Sequence, residues 1–215
     1  MNALRQEAFR MMESMPDEGM ADLIRYMNEY HRKFAAREQR QYDAREKAFT
    51  VLESMKRKVP ELDYARTCRI QGGEVSLMRI LLDTNLLLDY LTEREPFYQA
   101  AYRIVLGCKN RDYEGIVAAH SIVDMFYILR KHFTNSERRK LLLAFFEILQ
   151  VEAVDGEKLR TSLKNGMFSD FEDCLQVECA KSAAADFIIT RNAKDYALSD
   201  VPILSPEQFV EKFDG

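Results

Sequence analysis

The sequence of 215 residues has few of the side chains that bind zinc or form cross-links. Its four cysteines are scattered without a Cys-x-x-Cys pair, so neither a zinc site nor a disulfide framework is indicated. The three histidines are too widely separated along the chain to suggest a metal cluster. The composition therefore points away from zinc-binding and disulfide-stabilised proteins.

Long apolar runs are also missing. No stretch approaches the roughly 20 apolar residues that span a membrane, and the first residues lack the apolar region of a signal peptide. With 47% hydrophobic and 31% charged residues, the composition suits a globular protein with an ample core. We therefore expect a cytoplasmic protein without a membrane partner, built as one large domain or as one domain with an appendage.

Charge is unevenly distributed along the chain. The net charge is −4 overall, but +5 within residues 31–69 and −5 within residues 78–215. Pro60, Gly72 and Gly73 are typical of a linker. We therefore predict an all-α segment at residues 1–59, a linker at residues 60–77 and an α/β domain at residues 78–215. A basic arm before an acidic body suggests that the two parts attract one another.

The N-terminal segment reads as two amphipathic helices, at residues 2–14 and from Pro16 onward. The second helix carries an apolar stripe. Its members are Met20, Leu23, Ile24, Met27, Tyr30 and Phe34. No second layer in this region covers the stripe. One interpretation is that the segment wraps a partner, either the body of this chain or another copy. The other is that it is an ordinary helical hairpin lying on the body.

From Met78 onward, strand patterns alternate with helix patterns. The predicted strands are Arg79–Leu82, Gly115–Ala118, Val151–Val154, Phe187–Thr190 and Pro202–Leu204. Strands separated by helices are typical of a parallel sheet that is covered on both faces.

The most informative stretch is Arg79–Leu91. An apolar run of strand length ends at Asp83, and apolar residues then recur at helical spacing. In open α/β sheets, ligands bind in the crevice at the carboxyl ends of the strands, which is where this carboxylate should lie. The alternative interpretation is that Asp83 merely caps the following helix.

Three further segments place polar groups at the same predicted edge. Asp124 follows the second strand, Asp170 and Asp173 open a later helix, and Thr190 and Asn192 end another strand. Helix capping is again the alternative, because Ser121 with Asp124, and Asp170 with Asp173, have capping-box spacing.

Carboxylates that are crowded together repel one another, and burial adds to the cost of keeping them charged. A hard divalent cation such as Mg²⁺ or Mn²⁺ resolves this repulsion, because it prefers oxygen ligands. Such a cation activates water and stabilises the charge that develops during phosphodiester cleavage.

The stretches "RILLDTNLLLDYL", "AHSIVDMFYILRK", "SDFEDCLQVECAKSAAADFIITRNAKDY" and "VPILSPEQF" together resemble PIN-domain ribonucleases, particularly the toxins of bacterial VapBC-type toxin–antitoxin pairs. The resemblance covers residues 78–215. It implies a three-layer α/β/α fold with a central parallel sheet and Mg²⁺- or Mn²⁺-dependent endonucleolytic cleavage of RNA.

The resemblance also implies roles for particular residues. Asp83, Asp124 and Asp173 match three metal-binding acids, although the family usually carries glutamate at the second position; Asp170 is a nearby candidate. Asn192 stands where the family usually has a fourth, aspartate ligand, which leaves two-metal catalysis open. Asn85 and Thr190 match polar positions that shape the site, whereas Asp89 is expected to face solvent or a basic side chain.

Residues 1–77 resemble, mainly in organisation, the antitoxin partner of such a toxin. The resemblance implies an endoribonuclease held inactive by its own N-terminal helices, in cis or in trans, with a basic side chain directed at the acidic site. A homo-oligomer is expected. Two alternatives remain open, namely a catalytically impaired PIN-like module that binds RNA or protein, and an ordinary α/β protein whose acids are all helix caps.

Overall fold

The computed structural model of the protein describes residues 3–13, 15–55, 77–168 and 170–213. The chain divides into two compact units, Met1–Ala44 and Arg45–Gly215. No helix in the described ranges is both long and apolar enough to cross a membrane. Each unit is considered by itself below.

The first unit consists of helices. Helix α1 is Ala3–Glu13, and α2 is the 39-residue helix Asp17–Met55, whose last eleven residues belong to the second unit. The charged stretch 35–47 does not interrupt α2, since Arg, Lys, Glu and Gln are good helix formers. The predicted apolar stripe remains open to solvent: Ile24, Met27 and Tyr30 are each about half exposed.

Within the described residues of the second unit, five strands form one parallel sheet in the order β3-β2-β1-β4-β5. They are β1 Arg79–Leu82, β2 Glu114–Ala118, β3 Gln150–Glu152, β4 Phe187–Ile189 and β5 Ile203–Leu204. The register pairs Leu81 with Ile116 on one side and with Ile188 on the other. All carboxyl ends therefore lie at one edge of the sheet.

Helices follow the strands along the chain. They are α3 Thr84–Leu91, α4 Tyr98–Asn110, α5 Ala119–Ile128, α6 Asn135–Ile148, α7 Gly156–Lys164, α8 Phe171–Ser182 and α9 Pro206–Phe213. A short 3-10 turn, Leu129–Lys131, follows α5. The five predicted strands are present, with ends that differ from the predicted ones by at most two residues.

The core is divided between the two faces of the sheet. On one face, Ile80 and Leu82 of β1 pack with α3, α4, α6 and α9. On the other, Leu81 packs with α8 and with the buried Tyr196. Because successive side chains of a strand point to opposite faces, this alternation gives three layers. The predicted α/β/α fold with a central parallel sheet and an additional N-terminal helical segment is confirmed.

The C-terminal end of α2 is part of this core. Leu52 is fully buried and Ala48 nearly so, in the same apolar cluster as β1, α3 and α4. Glu53 accepts a hydrogen bond of 2.8 Å from the Tyr90 hydroxyl, and Glu46 forms an ion pair with Lys109. Residues 45–55 therefore pack with the α/β unit. Most of the predicted linker lies outside the described residues, and the boundaries 1–59, 60–77 and 78–215 stay predictions.

Candidate active site at the carboxyl edge of the sheet

Asp83 lies at the centre of the polar edge. It directly follows β1, is 3% exposed, and caps α3 by accepting from the backbone N–H of Asn85. The side chain does more than cap, because Thr190 Oγ1 donates to its Oδ2 at 2.7 Å and Gln176 Nε2 donates to its Oδ1 at 3.2 Å. Asp83 therefore caps α3 and is also held by donors from two other elements, and its role as a site residue stays a prediction.

Asn85 and Thr190 contact Asp83, as expected for residues that shape the site. Asn85 Nδ2 lies 3.4 Å from Asp83 Oδ2. Thr190 is fully buried directly after β4, and its hydroxyl oxygen also accepts from the backbone N–H of Asn192 at 3.0 Å. The Asn192 side chain itself is exposed. Its backbone orients Thr190, and a catalytic role for its amide stays a prediction.

Two acids on α8, Glu172 and Asp173, have raised pKa values. Burial raises the pKa of Asp173 to about 6; the nearby Tyr196 hydroxyl opposes this shift, and the charges of Asp170 and Asp83 add to it. Burial likewise raises the pKa of Glu172, with further contributions from Asp124 and Asp83. The carboxylates therefore lie within electrostatic reach of one another.

The remaining predicted acids occupy different local positions. Asp170 caps α8 through a 2.8 Å hydrogen bond from the backbone N–H of Glu172. Asp124 lies in the second turn of α5 instead of the first, because that helix begins at Ala119 as soon as β2 ends. For the same reason Ser121 is inside the helix and buried, so the capping box proposed for Ser121 and Asp124 is wrong.

Comparison with known proteins identifies the family of the α/β unit. The PIN domain family matches residues 79–194, which is more than half of the chain. This chain belongs to the PIN domain family. No curated protein matches it.

Several solved structures are similar to this PIN domain. VapBC2 from Rickettsia felis, bound to a DNA fragment from its promoter, is 18% identical over 60% of this chain and 98% of its own, with a TM-score of 0.46. A toxin–antitoxin complex from Klebsiella pneumoniae is 18% identical over 59% and 97%, with a TM-score of 0.46. Mycobacterium tuberculosis VapC20, a toxin that cleaves the sarcin–ricin loop, is 11% identical over 55% and 94%, with a TM-score of 0.46.

An arginine on the edge of the PIN-domain site was not singled out by sequence reasoning. Arg191 pairs with both oxygens of the buried Asp89 at 3.1 Å and donates to Asn85 Oδ1 at 3.3 Å. Its guanidinium also lies 4.7 Å from the centre of the Phe97 ring. Asp89 thus faces a basic side chain, one of its two expected surroundings. Arg191 in turn holds the Asn85 amide beside Asp83.

A histidine lies beside the acids. Burial lowers the pKa of His120, against the opposing effect of the Asp124 and Asp83 charges. Neither ring nitrogen has a hydrogen-bond partner among the residues that the structure describes. The neutral ring therefore adds polar atoms to the interior of the site.

Sequence reasoning also missed Gln176, Glu172 as a separate acid, and Tyr196. A usable signal existed for the first of these, since Gln176 is a single amide among apolar positions of α8. Tyr196 gives no comparable signal in the sequence. Its hydroxyl lowers the pKa of Asp173 only because a turn several residues after β4 brings the two side chains together.

PIN domains generally depend on divalent metal ions. Carboxylate oxygens are the ligands that such an ion prefers, and a cation would offset the burial and mutual repulsion that raise the pKa values of Glu172 and Asp173. In the described part of the chain, however, no three His, Cys, Asp or Glu side chains are gathered closely enough to hold an ion. The donor types therefore fit a divalent cation, and the convergence of Asp83, Asp124 and Asp173 on one ion stays a prediction.

Proposed function

We propose that the chain is a metal-dependent endoribonuclease of the PIN type that cleaves RNA phosphodiester bonds. The carrying observation is the buried carboxylate of Asp83, held by Thr190 and Gln176 within electrostatic reach of Glu172 and Asp173. Hydrogen bonds offset the cost of burying this carboxylate, and a bound cation would offset its repulsion from the neighbouring acids.

Asp83, Asp124 and Asp173 are the proposed ligands of Mg²⁺ or Mn²⁺, and Glu172 is a further candidate. When bound, the cation would supply the positive charge that stabilises the phosphodiester transition state and would lower the pKa of a water nucleophile. Thr190 and Asn85 orient Asp83, and the exposed Asn192 is placed to contact substrate or solvent. This assignment needs no Ser, Cys or His nucleophile.

The test is cleavage of a mixed RNA pool with Mg²⁺ or Mn²⁺. Asp83→Asn and Asp173→Ala should each abolish cleavage, since each removes a charged ligand. Asp200→Asn is the matched control, because Asp200 is exposed and pairs with Lys181. An active Asp83→Asn variant would contradict the proposal.

We further propose that the N-terminal segment acts as an antitoxin-like inhibitor, in cis or in trans within a homo-oligomer. Support comes from α2, whose residues 45–55 pack in the PIN-domain core, and from the exposed apolar stripe of residues 20–34. Leaving large apolar side chains in water forfeits roughly 1.5–3 kcal/mol for each, so a covering partner is expected. Arg45, one of the basic side chains of this segment, donates to the Glu147 carbonyl at the end of α6, and a basic side chain directed at the acidic site stays a prediction.

This second proposal is tested by truncation at the boundary between the two units. A chain of residues 45–215 keeps Leu52 in the core, whereas residues 78–215 alone would lose it. Inhibition predicts that residues 45–215 cleave RNA faster than the full chain. Slower cleavage by the truncated chain would instead indicate that the basic residues it lacks, among them Arg32, Lys33, Arg37 and Arg40, recruit RNA.

A catalytically impaired module that binds RNA or protein is the second candidate function. It is favoured by Asn192, which brings no charge to the fourth position, and by the absence of a gathered metal cluster among the described residues. Binding of RNA that is never cleaved in either metal, by the full chain and by residues 45–215, would establish this alternative.

A further inference from the structure

A buried glutamine faces the first acid of the site. Gln176 is 1% exposed on α8, and its Nε2 donates a hydrogen bond of 3.2 Å to Asp83 Oδ1. The other buried positions of the helix are apolar: Cys174, Leu175, Val177, Cys179 and Ala180. A polar side chain in such a place is costly unless it forms hydrogen bonds, so its presence calls for a reason other than filling the core.

Gln176 completes a set of donors around the Asp83 carboxylate. Thr190 Oγ1 binds Oδ2 at 2.7 Å, and the backbone N–H and Nδ2 of Asn85 reach one oxygen each at 3.4 Å. Without Gln176, Oδ1 would keep only the long contact from the Asn85 backbone. The amide therefore fixes the rotation of the carboxylate, which decides where its lone pairs point.

The choice of an amide has a chemical reason. Glutamine donates without carrying charge. A lysine or arginine at this position would offset the negative charge that a cation needs, and an apolar side chain would leave Oδ1 short of a donor. Within the described residues, Oε1 of Gln176 has no partner, so the contact with Asp83 is the hydrogen bond for which the side chain is placed.

We infer that Gln176 is a positioning residue that holds Asp83 in the orientation needed to bind a divalent cation, an inference that rests on the proposed function. Asp173 precedes it by three residues on α8, a spacing that places both side chains on one face of a helix. One rigid element thus carries a proposed ligand and the donor that orients another. Loss of such a supporting contact typically weakens metal binding by roughly 10–100-fold.

The experiment is calorimetric titration of the full chain with Mn²⁺ alone. Gln176→Met keeps an unbranched side chain of similar length and removes the donor, so Mn²⁺ should bind about tenfold more weakly or worse. Gln150→Met is the matched control: Gln150 begins β3 at the opposite edge of the sheet and accepts from Arg79 Nη2. This control should bind Mn²⁺ as the parent does.

A purely structural glutamine makes a different prediction. In that case Gln176→Met would lower the melting temperature and leave Mn²⁺ affinity unchanged, which would overturn the inference. Positioning also predicts that excess Mn²⁺ restores RNA cleavage by Gln176→Met, since every carboxylate remains. Should Gln176→Met fail to fold, Gln176→Asn, which keeps the amide but withdraws it by one methylene, replaces it and should show the same loss of affinity.

Mn²⁺ binding by the parent chain distinguishes failure of the inference about Gln176 from failure of the proposed function. A parent that binds no Mn²⁺ would refute the proposed function together with the inference. A parent that binds Mn²⁺, beside a Gln176 variant of equal affinity, would refute the inference alone.

Discussion

Replacing Leu52 by alanine tests whether the end of α2 is an integral part of the PIN-domain core. Leu52 is completely buried in the cluster that includes β1, α3 and α4. Truncating a fully buried leucine typically costs roughly 3 kcal/mol, from lost burial and from the cavity left behind. For a unit of this size, that corresponds to a fall in melting temperature on the order of 6–12 °C.

Tyr42→Ala supplies the control within the same helix. Tyr42 is 60% exposed and lies outside the apolar stripe, so its truncation should change the free energy of unfolding by less than about 0.5 kcal/mol. The unfolding of both variants in urea is monitored with a spectroscopic probe of the α/β unit. If residues 45–55 did not pack in the core, the two variants would behave alike. A Leu52→Ala chain as stable as Tyr42→Ala would therefore refute the reasoning.

Three other predictions concern the site and its surroundings. Mn²⁺ should raise the melting temperature of the parent and not that of Asp83→Asn, because a ligand stabilises the folded state that binds it; equal shifts would contradict the metal assignment. Asp89→Asn should lower the free energy of unfolding by about 3 kcal/mol, since it leaves the largely buried Arg191 without its charged partner. Asp200→Asn, at an exposed ion pair, should lower it by less than about 1 kcal/mol. In a Cys68→Ser chain, the thiols of Cys108, Cys174 and Cys179 should resist Ellman's reagent at pH 8 until the protein unfolds. All three are buried, and burial raises the pKa of Cys179 to about 11. Rapid reaction of the folded chain would show that the core opens.

Much of the α/β unit was predictable because its signals are local. The apolar run before Asp83 predicted β1 at its observed bounds. The pairing of Thr190 with Asp83 followed from one geometric rule, that parallel strands bring their carboxyl ends to the same edge. Residues at strand ends were therefore placed correctly without any knowledge of their side-chain contacts.

The missed contacts share a different property. Gln176 and Asp83 are 93 positions apart, and Arg191 and Asp89 are 102 apart. Neither pair has a periodicity or a turn signal that links its members, so such contacts become visible only when the helices are placed on the sheet. The packing of Leu52 among residues of the α/β unit was missed for the same reason, because its helical spacing indicates a buried face without indicating what covers it.

The hydrogen bonds of Asp83 limit how a cation can bind it. A carboxylate has about four lone-pair positions, and four donors address them here. Two bonds are short, from Thr190 at 2.7 Å and Gln176 at 3.2 Å, and two are long, both from Asn85 at 3.4 Å. A bound cation would have to replace one of these donors, and the 3.4 Å contact from the Asn85 side chain would be lost at less cost than the shorter bonds from Thr190 and Gln176, because hydrogen bonds weaken with distance. Asp83 would therefore keep its cap on α3, through the Asn85 backbone N–H, while it binds a cation.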